Sequence, residues 1–240
     1  MTLREEALLR EKFGADCDIA EFQSRLDGGE PFAYILGEWY FWDETYKVTP
    51  DVLIPRPDTE HIVEAALKYL PENGRMCDLC CGSGCIGIST VRHKSGAVCL
   101  SCDISAKALD ITLHNAALNG VSDSITVKQL DVLDHAALAD IGKFDVVTSN
   151  PPYIRTDVIP TLDTVQHEPK LALDGGADGL IFYRALLDAF DNVVADGGVM
   201  VLEIGYDQGD DLRGLCGERG LLCEVRRDYG GNERVCLVRR

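Results

Sequence analysis

The tetrapeptide Asn150-Pro151-Pro152-Tyr153 has the residue types needed to hold a planar NH2 group. It directly follows the apolar run 144–149, so it is expected where a buried strand ends. The side-chain oxygen of Asn150 can accept one hydrogen of the NH2 group, and a backbone carbonyl of Pro151 or Pro152 can accept the other. Because proline lacks an N–H, the loop offers acceptors without competing donors, and Tyr153 can stack on a planar group. A stiff structural turn is the alternative interpretation.

A turn with two closely spaced glycines follows the predicted strand 76–79 and opens a helix. Gly82 and Gly84 lack a Cβ, so the backbone can turn sharply and approach a ligand closely. In an open α/β sheet, a nucleotide-like ligand binds at this place. Asp78, at the strand end, is expected to meet a cationic group. The candidate cofactor-binding residues of this turn are Asp78, Cys80, Cys81, Gly82, Ser83 and Gly84.

Acidic residues end the next two predicted strands. Asp103 stands 19 residues after Gly84, close to the spacing at which a carboxylate meets ribose hydroxyls. Asp131 could meet an adenine amino group, and Ile104 and Val132 follow these two carboxylates as further candidates. The loop lacks the G-x-G-x-x-G register, which favours S-adenosylmethionine over NAD. We therefore expect methyl transfer to an amide or amino nitrogen, with the protein mainly positioning the reactants.

Four of the ten cysteines have a spacing that resembles a zinc ribbon. Cys77-x2-Cys80 and Cys99-x2-Cys102 are separated by 18 residues. Residues three apart in a strand point to opposite faces, so neither pair is well placed to grip one ion. Cysteine is also among the most buried residue types, so packing in the core is favoured and no metal is expected.

The elements that must position these groups alternate between strands and helices after Gly74. Strands are predicted at 76–79, 97–102, 125–130, 144–149, 199–204, 222–225 and 235–238. Helices are predicted at 86–93, 106–119, 180–194 and 208–218. Ser105 should cap the second of these helices, and Gly120 should follow its end. The alternation predicts an α/β, Rossmann-like fold with a seven-stranded, mostly parallel sheet and an antiparallel hairpin at one edge.

The beginning of the chain follows a different pattern. Aromatic and β-branched residues predict a β-hairpin that turns near Asp43-Glu44. The segment 54–57 must be extended, because residues before proline avoid the helical region. Asp58 or Thr59 is expected to cap the next helix. The predicted divisions are a short helical segment 1–30, a hairpin with a linker 31–57, and a catalytic domain 58–240.

Two segments together resemble the protein N5-glutamine methyltransferases of the release-factor type. They are Ile54-Pro55-Arg56-Pro57-Asp58-Thr59-Glu60 and Asn150-Pro151-Pro152-Tyr153-Ile154. The resemblance runs from about Glu30 to the C-terminus and includes 31–38, 168–173 and 227–229. Asn-Pro-Pro-Tyr alone is shared with enzymes that methylate adenine or guanine. The Pro-Arg-Pro-Asp-Thr-Glu and Tyr-Ile-Leu-Gly segments are more specific.

The resemblance implies a class I methyltransferase that uses S-adenosyl-L-methionine and methylates the glutamine of the Gly-Gly-Gln motif in peptide-chain release factors. It also implies that Cys80 to Gly84, Asp103, Val132 and Asn150 contact the cofactor. Residues 150–153 would hold the substrate glutamine. Arg56 and Thr59 would lie near the mouth of the site, where Arg56 could contact substrate or form a structural salt bridge.

Three features depart from the pattern of this family. Cys80 replaces the usual first glycine of the cofactor loop, where a Cβ would crowd a backbone that needs a positive φ. Val132 replaces a residue that is often aromatic, which would loosen the packing around adenine. About 30 residues precede the shared region, whereas the family has an N-terminal domain of several helices.

The overall charge constrains the substrate class. The formal net charge is −17, which repels phosphate backbones and disfavours a nucleic-acid partner. No apolar run approaches the roughly 20 residues of a membrane span, and the charged N-terminus lacks a secretory signal. We expect a cytoplasmic monomer without a membrane partner. Two alternatives stay open: a methyltransferase of exocyclic base amines, and a binding protein that kept the fold but lost turnover.

Overall fold

Nine strands and ten helices, with short 3-10 turns, make up the computed structural model, which describes residues 1–162 and 165–240. The strands are β1 (Glu38–Phe41), β2 (Glu44–Lys47), β3 (Arg75–Leu79), β4 (Val98–Asp103), β5 (Ile125–Gln129), β6 (Phe144–Ser149), β7 (Val194–Glu203), β8 (Leu222–Arg227) and β9 (Glu233–Arg239). The helices are α1 (Leu3–Phe13), α2 (Ile19–Asp27), α3 (Phe32–Leu36), α4 (Glu60–Tyr69), α5 (Cys85–Arg92), α6 (Ala106–Leu118), α7 (His135–Ala139), α8 (Ile181–Asp188), α9 (Phe190–Val193) and α10 (Gly209–Glu218).

Seven of the strands form one sheet in the order β5-β4-β3-β6-β7-β9-β8. The first five of these pair in parallel, while β9 pairs antiparallel with both β7 and β8. The sheet confirms the predicted Rossmann-like fold, including the antiparallel hairpin at one edge. Strands β1 and β2 form a separate antiparallel hairpin, as predicted.

Apolar side chains cover both faces of the sheet, as a doubly wound fold requires. One face carries Met76, Cys99, Val146 and Val201 and packs against α4 and α5. The other face carries Val147 and other buried residues and packs against α7 to α10. Because the helices bury both faces, the polar ends of the parallel strands are left along one edge, where a site can form.

The predicted helix 180–194 is confirmed except for a break at Ala189 and an end one residue early. Helix α8 ends at Asp188, the short α9 follows, and β7 already begins at Val194. The sequence 196–198, Asp-Gly-Gly, was expected to be a loop, but it lies inside β7 where the register with β6 shifts. A Cβ on Gly198 would lie 2.8 Å from the carbonyl oxygen of Asp145, so the two glycines permit a bulge rather than a strand break.

The cap positions of α6 follow the prediction. The Ser105 hydroxyl accepts from the Ala108 N–H at 3.2 Å, and Gly120 has φ +70° just after the helix. Helices α3 and α7 were not predicted, because each has five residues and too little sequence to show a helical period.

The N-terminal part packs onto the main sheet through the hairpin and the segment after it. Asn115 of α6 bonds both the N–H and the carbonyl of Lys47, at 2.7 and 3.1 Å. The Tyr34 hydroxyl donates to the Val52 carbonyl at 2.7 Å. These bonds hold the extended segment 51–56 over the carboxyl ends of the strands. None of the described helices is both long and apolar enough to cross a bilayer.

Candidate active site

A cleft of about 200 Å³, open to solvent, lies at the carboxyl ends of β3, β4 and β6. Its wall contains most of the residues that the sequence singled out: Arg56, Cys80, Cys81, Gly82, Ser83, Asp103, Ile104, Asp131, Val132, Asn150 and Pro152. The wall does not include the remaining four, which are Asp78, Gly84, Pro151 and Tyr153. The fold therefore brings the glycine turn, both strand-end carboxylates and the Asn-Pro-Pro-Tyr loop to one place.

The two glycines of the turn have different roles. A Cβ on Gly82, which has φ +55°, would meet no protein atom within 4 Å, so this backbone is left bare at the cleft wall. A Cβ on Gly84 would lie 2.8 Å from Thr112 of α6. Gly84 is thus required for close packing of the helix, and Gly82 is suited to close approach by a ligand.

Cys80 adopts φ +59°, the left-handed conformation that a glycine would take without strain. This confirms that the position needs a positive φ. For a residue with a Cβ this conformation costs roughly 1–2 kcal/mol. The half-buried side chain packs against the core face that contains Leu79, and this burial offsets part of the strain.

Asp103 links the glycine turn to the end of β4. One carboxylate oxygen accepts from the Gly82 N–H at 2.9 Å, and the other accepts from the Ser105 N–H at 2.9 Å. Burial raises the pKa of Asp103, and these backbone donors oppose that effect. A carboxylate has about four acceptor positions, so Asp103 keeps capacity to accept from a bound ligand.

Asp78 lies behind the glycine turn and not in the cleft wall, which differs from the expected contact with a cationic group. It is fully buried and accepts from the Thr148 hydroxyl at 2.8 Å and the Gly87 N–H at 3.3 Å. Burial raises its pKa to about 7, while the bonds from Thr148 and Gly87 act in the opposite direction. The side chain therefore ties β3 to β6 and α5 beneath the loop.

The buried carboxyl of Asp78 predicts a pH dependence of stability. The folded protein keeps this proton up to a pKa of about 7, whereas an unfolded aspartate loses it near 3.9. The folded state thus binds the extra proton between these values, so the contribution of Asp78 to stability falls as pH rises through that window. Between pH 5 and pH 8, Asp78→Asn is expected to gain about 2–3 kcal/mol relative to the wild type. Denaturant unfolding at both pH values measures this, and parallel pH profiles for the two proteins would contradict it.

A buried carboxylate organises the Asn-Pro-Pro-Tyr loop from below. Glu203, at the end of β7, accepts from the Thr59 hydroxyl at 2.6 Å and from the Tyr153 hydroxyl at 3.2 Å. Thr59 in turn accepts from the Asn150 side-chain NH2 at 3.2 Å. The network connects Asn150 and Tyr153 through Glu203. Because the bond to Thr59 uses an N–H of Asn150, the amide oxygen of Asn150 can serve as an acceptor for a substrate.

The sequence did not indicate Glu203 or its bond to Thr59, although Thr59 lies in the cleft wall, as the resemblance implied. Thr59 occupies the N-cap position of α4, but its side chain makes no cap bond there because it donates to Glu203. Burial raises the pKa of Glu203, while the bond from Thr59 opposes this. The sequence did contain one signal for Glu203. It is a charged residue at the end of an apolar run, at the same sheet edge as the glycine turn.

Tyr153 lines a second cavity of about 110 Å³ that shares Leu53, Arg56, Asn150 and Ala172 with the cleft. The Tyr153 carbonyl accepts from Gln208 at 3.1 Å. A Cβ on Gly175 would lie 2.8 Å from Tyr153 Cα and 2.9 Å from the Pro152 carbonyl oxygen. The backbone after Asn150 is thus clamped tightly between neighbouring segments.

Arg56 forms a salt bridge with Glu168 and also lines both cavities. The Glu168 side chain is buried and also accepts from the Ile54 N–H at 3.1 Å. Glu168 therefore fixes the linker backbone and the guanidinium together. The ion pair with Glu168 supports a structural role for Arg56. Because Arg56 also lies in the cleft wall, it can contact a bound substrate as well.

Within the described part of the chain, the cysteines of the zinc-ribbon spacing do not form a group of three or more side chains close enough to share a metal ion. Cys99 belongs to the core on one face of the sheet, while Cys77 and Cys102 belong to the core on the other face. Cys80 stands in the cleft wall. Cys99 and Cys102 thus lie on opposite faces, as the argument from side-chain direction predicted, whereas Cys77 and Cys80 contact the same core, so the argument fails for that pair.

The network beneath the loop predicts that Glu203 positions Asn150 and Tyr153. Glu203→Gln keeps the size of the side chain but removes an acceptor, so we expect kcat to fall about 10-fold with an unchanged Kd for the cofactor. Steady-state kinetics and calorimetry measure the two quantities. Thr59→Ser, which keeps the hydroxyl, should stay close to wild type, whereas Thr59→Val should match Glu203→Gln. Equal activity of the serine and valine variants would contradict the proposed network.

Comparison with known proteins agrees with this geometry. The methyltransferase small domain family matches residues 59–167. A crystal structure of ribosomal protein L11 methylase from Lactobacillus delbrueckii subsp. bulgaricus shares the fold, with a TM-score of 0.57 at 19% identity over 80% of this chain and 83% of that one.

Relatives with higher identity carry one name. The release factor glutamine methyltransferase of Clostridium acetobutylicum is 38% identical over 213 residues, which are 87% of this chain and 74% of the relative. That of Neisseria gonorrhoeae is 39% identical over 222 residues, which are 90% of this chain and 78% of the relative. With this identity over most of both lengths, the chain belongs to the release factor glutamine methyltransferase family.

Proposed function

We propose that this protein transfers a methyl group from S-adenosyl-L-methionine to the side-chain amide nitrogen of the glutamine in the Gly-Gly-Gln motif of peptide-chain release factors. The observation that carries the proposal is the Asn150 amide, placed in the wall of the cleft and held there by Thr59. We further propose that it acts as a cytoplasmic monomer. Residues 58–240 would form the catalytic domain, with the linker 51–56 completing the wall of the site.

The cleft has the features that an adenosine-containing cofactor needs. The bare backbone of Gly82 permits close approach, and Asp103 offers carboxylate oxygens for ribose hydroxyls. Apolar side chains of Ile104, Leu130 and Val132 line the part of the wall next to Asp131, where a flat base could pack. When bound, S-adenosylmethionine supplies an electrophilic methyl group on sulfur. Val132 gives less contact area than an aromatic residue would.

The loop after β6 holds the substrate amide in this proposal. The Asn150 oxygen accepts one hydrogen of the glutamine NH2 group. A backbone carbonyl of Pro151 or Pro152 accepts the other hydrogen. Holding both hydrogens orients the nitrogen and favours the positive charge that develops on it during transfer. Tyr153, fixed by Glu203, supports the loop from the adjoining cavity.

The test is methyl transfer to a defined residue. Purified protein is incubated with methyl-labelled S-adenosylmethionine and either a bacterial release factor or its Gln→Ala variant in the Gly-Gly-Gln motif. Label on the intact factor alone supports the proposal. Label on both factors would move the target to another residue. Label on an oligonucleotide and on neither factor would favour methylation of a base amine. Cofactor binding without transfer to any of these would indicate a scaffold that has lost turnover.

A further inference from the structure

Three cysteines converge at the β9–β8 edge of the sheet, where β6 and β7 separate them from the strands of the cysteines first considered for zinc. Cys216 ends the buried face of α10, Cys223 lies on β8 and Cys236 on β9. Their sulfur atoms all lie within 4.8 Å of one another, and those of Cys223 and Cys236 are 3.3 Å apart. All three are free thiols. Within the described residues this is the one group of three or more His, Cys, Asp or Glu side chains close enough to share a metal ion.

The fold holds these three sulfurs in place through separate elements. In the antiparallel register of β8 and β9, Cys223 faces Val238 and Cys236 faces Val225, so the two cysteines are diagonal neighbours on one face. That face packs against α10. The turn after α10 is fixed by the Leu221 N–H, which donates to the Cys216 carbonyl at 2.9 Å. A helix and two paired strands thus present one thiol each to a common point.

The spacing agrees with the geometry of thiolate coordination. A Zn–S bond is about 2.3 Å long, so two sulfurs of a tetrahedral site lie roughly 3.8 Å apart. The Cys223–Cys236 separation of 3.3 Å and the upper limit of 4.8 Å for the other two pairs both lie within about 1 Å of this value, so small side-chain adjustments would meet it. We propose that Cys216, Cys223 and Cys236 bind one Zn²⁺ ion, with water as the fourth ligand. Cys216 and Cys236 are buried and Cys223 is partly exposed, so the ion and the water would reach the site past Cys223.

Zinc binds the deprotonated form of cysteine, so formation of the site would release the protons of the three thiols.

The site would join α10 to the hairpin at the edge of the sheet. It lies outside the cleft, and its function is separate from methyl transfer. An edge hairpin is held on one side only, and a metal bound by both of its strands and by the covering helix would stabilise that edge. Simple packing of thiols in the core is the competing explanation, and it requires no ion.

The test measures metal retention by the full chain, kept reduced and first stripped with a chelator. After addition of ZnCl2 and removal of unbound ion, we expect one Zn²⁺ per chain and a higher Tm. Cys223→Ser alters the least buried ligand and should bind Zn²⁺ at least 10-fold more weakly. Cys17→Ser, in the N-terminal segment, is the matched control and should bind like the wild type. With CoCl2 in place of zinc, sulfur-to-metal charge-transfer absorption should appear in the wild type and weaken in Cys223→Ser.

Two results would overturn the proposal. The first is wild-type protein that keeps all three thiols of this cluster reduced and still retains no Zn²⁺. The second is equal retention by the wild type and Cys223→Ser. Neither result depends on methyl transfer, so a failure here leaves the proposed activity untouched.

Discussion

Asn150→Ala is expected to lower kcat for methyl transfer by about 100- to 1,000-fold while the protein stays folded. Alanine removes the side-chain acceptor for one hydrogen of the substrate NH2 group. The amide nitrogen would then be held by a single carbonyl and would sample orientations that point away from the methyl donor. Among residues 1–162 and 165–240, the Asn150 side chain makes one hydrogen bond, to Thr59, so its loss should cost little stability. Single-turnover kinetics at saturating cofactor measure the chemical step directly.

Asn192→Ala provides the matched control for this variant. Asn192 is an exposed residue of α9, which packs on the same face of the sheet as α8 and α10. It does not belong to the cleft wall. Its activity should equal that of the wild type. If Asn150→Ala also turned over at the wild-type rate with a folded structure, the loop would not be the group that holds the amide, and the proposed chemistry would fail.

The sequence predicted the sheet well because its strands are fixed by local patterns. Short apolar runs bounded by glycine, asparagine and charged residues defined six of the seven strands to within a few residues. The seventh, β7, begins earlier than predicted because Gly197 and Gly198 form a bulge against β6. The same two glycines would end a strand in another setting, and only the partner strand decides between the outcomes.

The residues of the candidate site also fall into two groups, those that the sequence could predict and those that it could not. The residues at strand ends, such as Asp103 and Asn150, could be predicted because parallel strands bring their carboxyl ends to one edge. Glu203 and Thr59 could not be paired from sequence, since they lie 144 positions apart and meet only through the sheet order. Asp78 was assigned to a ligand because it ends a strand. Its burial depends on Thr148 of the neighbouring strand, which the sequence does not place beside it.

Asp103→Ala is expected to weaken cofactor binding by about 100- to 1,000-fold and to change kcat at saturating cofactor by less than about 10-fold. The variant removes the carboxylate proposed to accept from the ribose hydroxyls. It also removes the acceptor for the Gly82 and Ser105 N–H groups, so part of the loss would come from a looser glycine turn. Calorimetry with S-adenosylhomocysteine, which cannot react, measures the Kd. Asp110→Ala, exposed on α6, is the control and should bind normally.

The ribose contribution can be separated from the effect on the turn by changing the ligand as well as the protein. An analogue without the ribose 2′-hydroxyl should bind the wild type more weakly than the parent compound, because one bond to the carboxylate is missing. If Asp103 is the partner of that hydroxyl, Asp103→Ala should bind the two compounds with nearly equal Kd, and the two losses should not add. Additive losses would assign the hydroxyl to another residue and leave Asp103 as a support for the turn. An unchanged Kd for the parent compound would remove Asp103 from the binding site altogether.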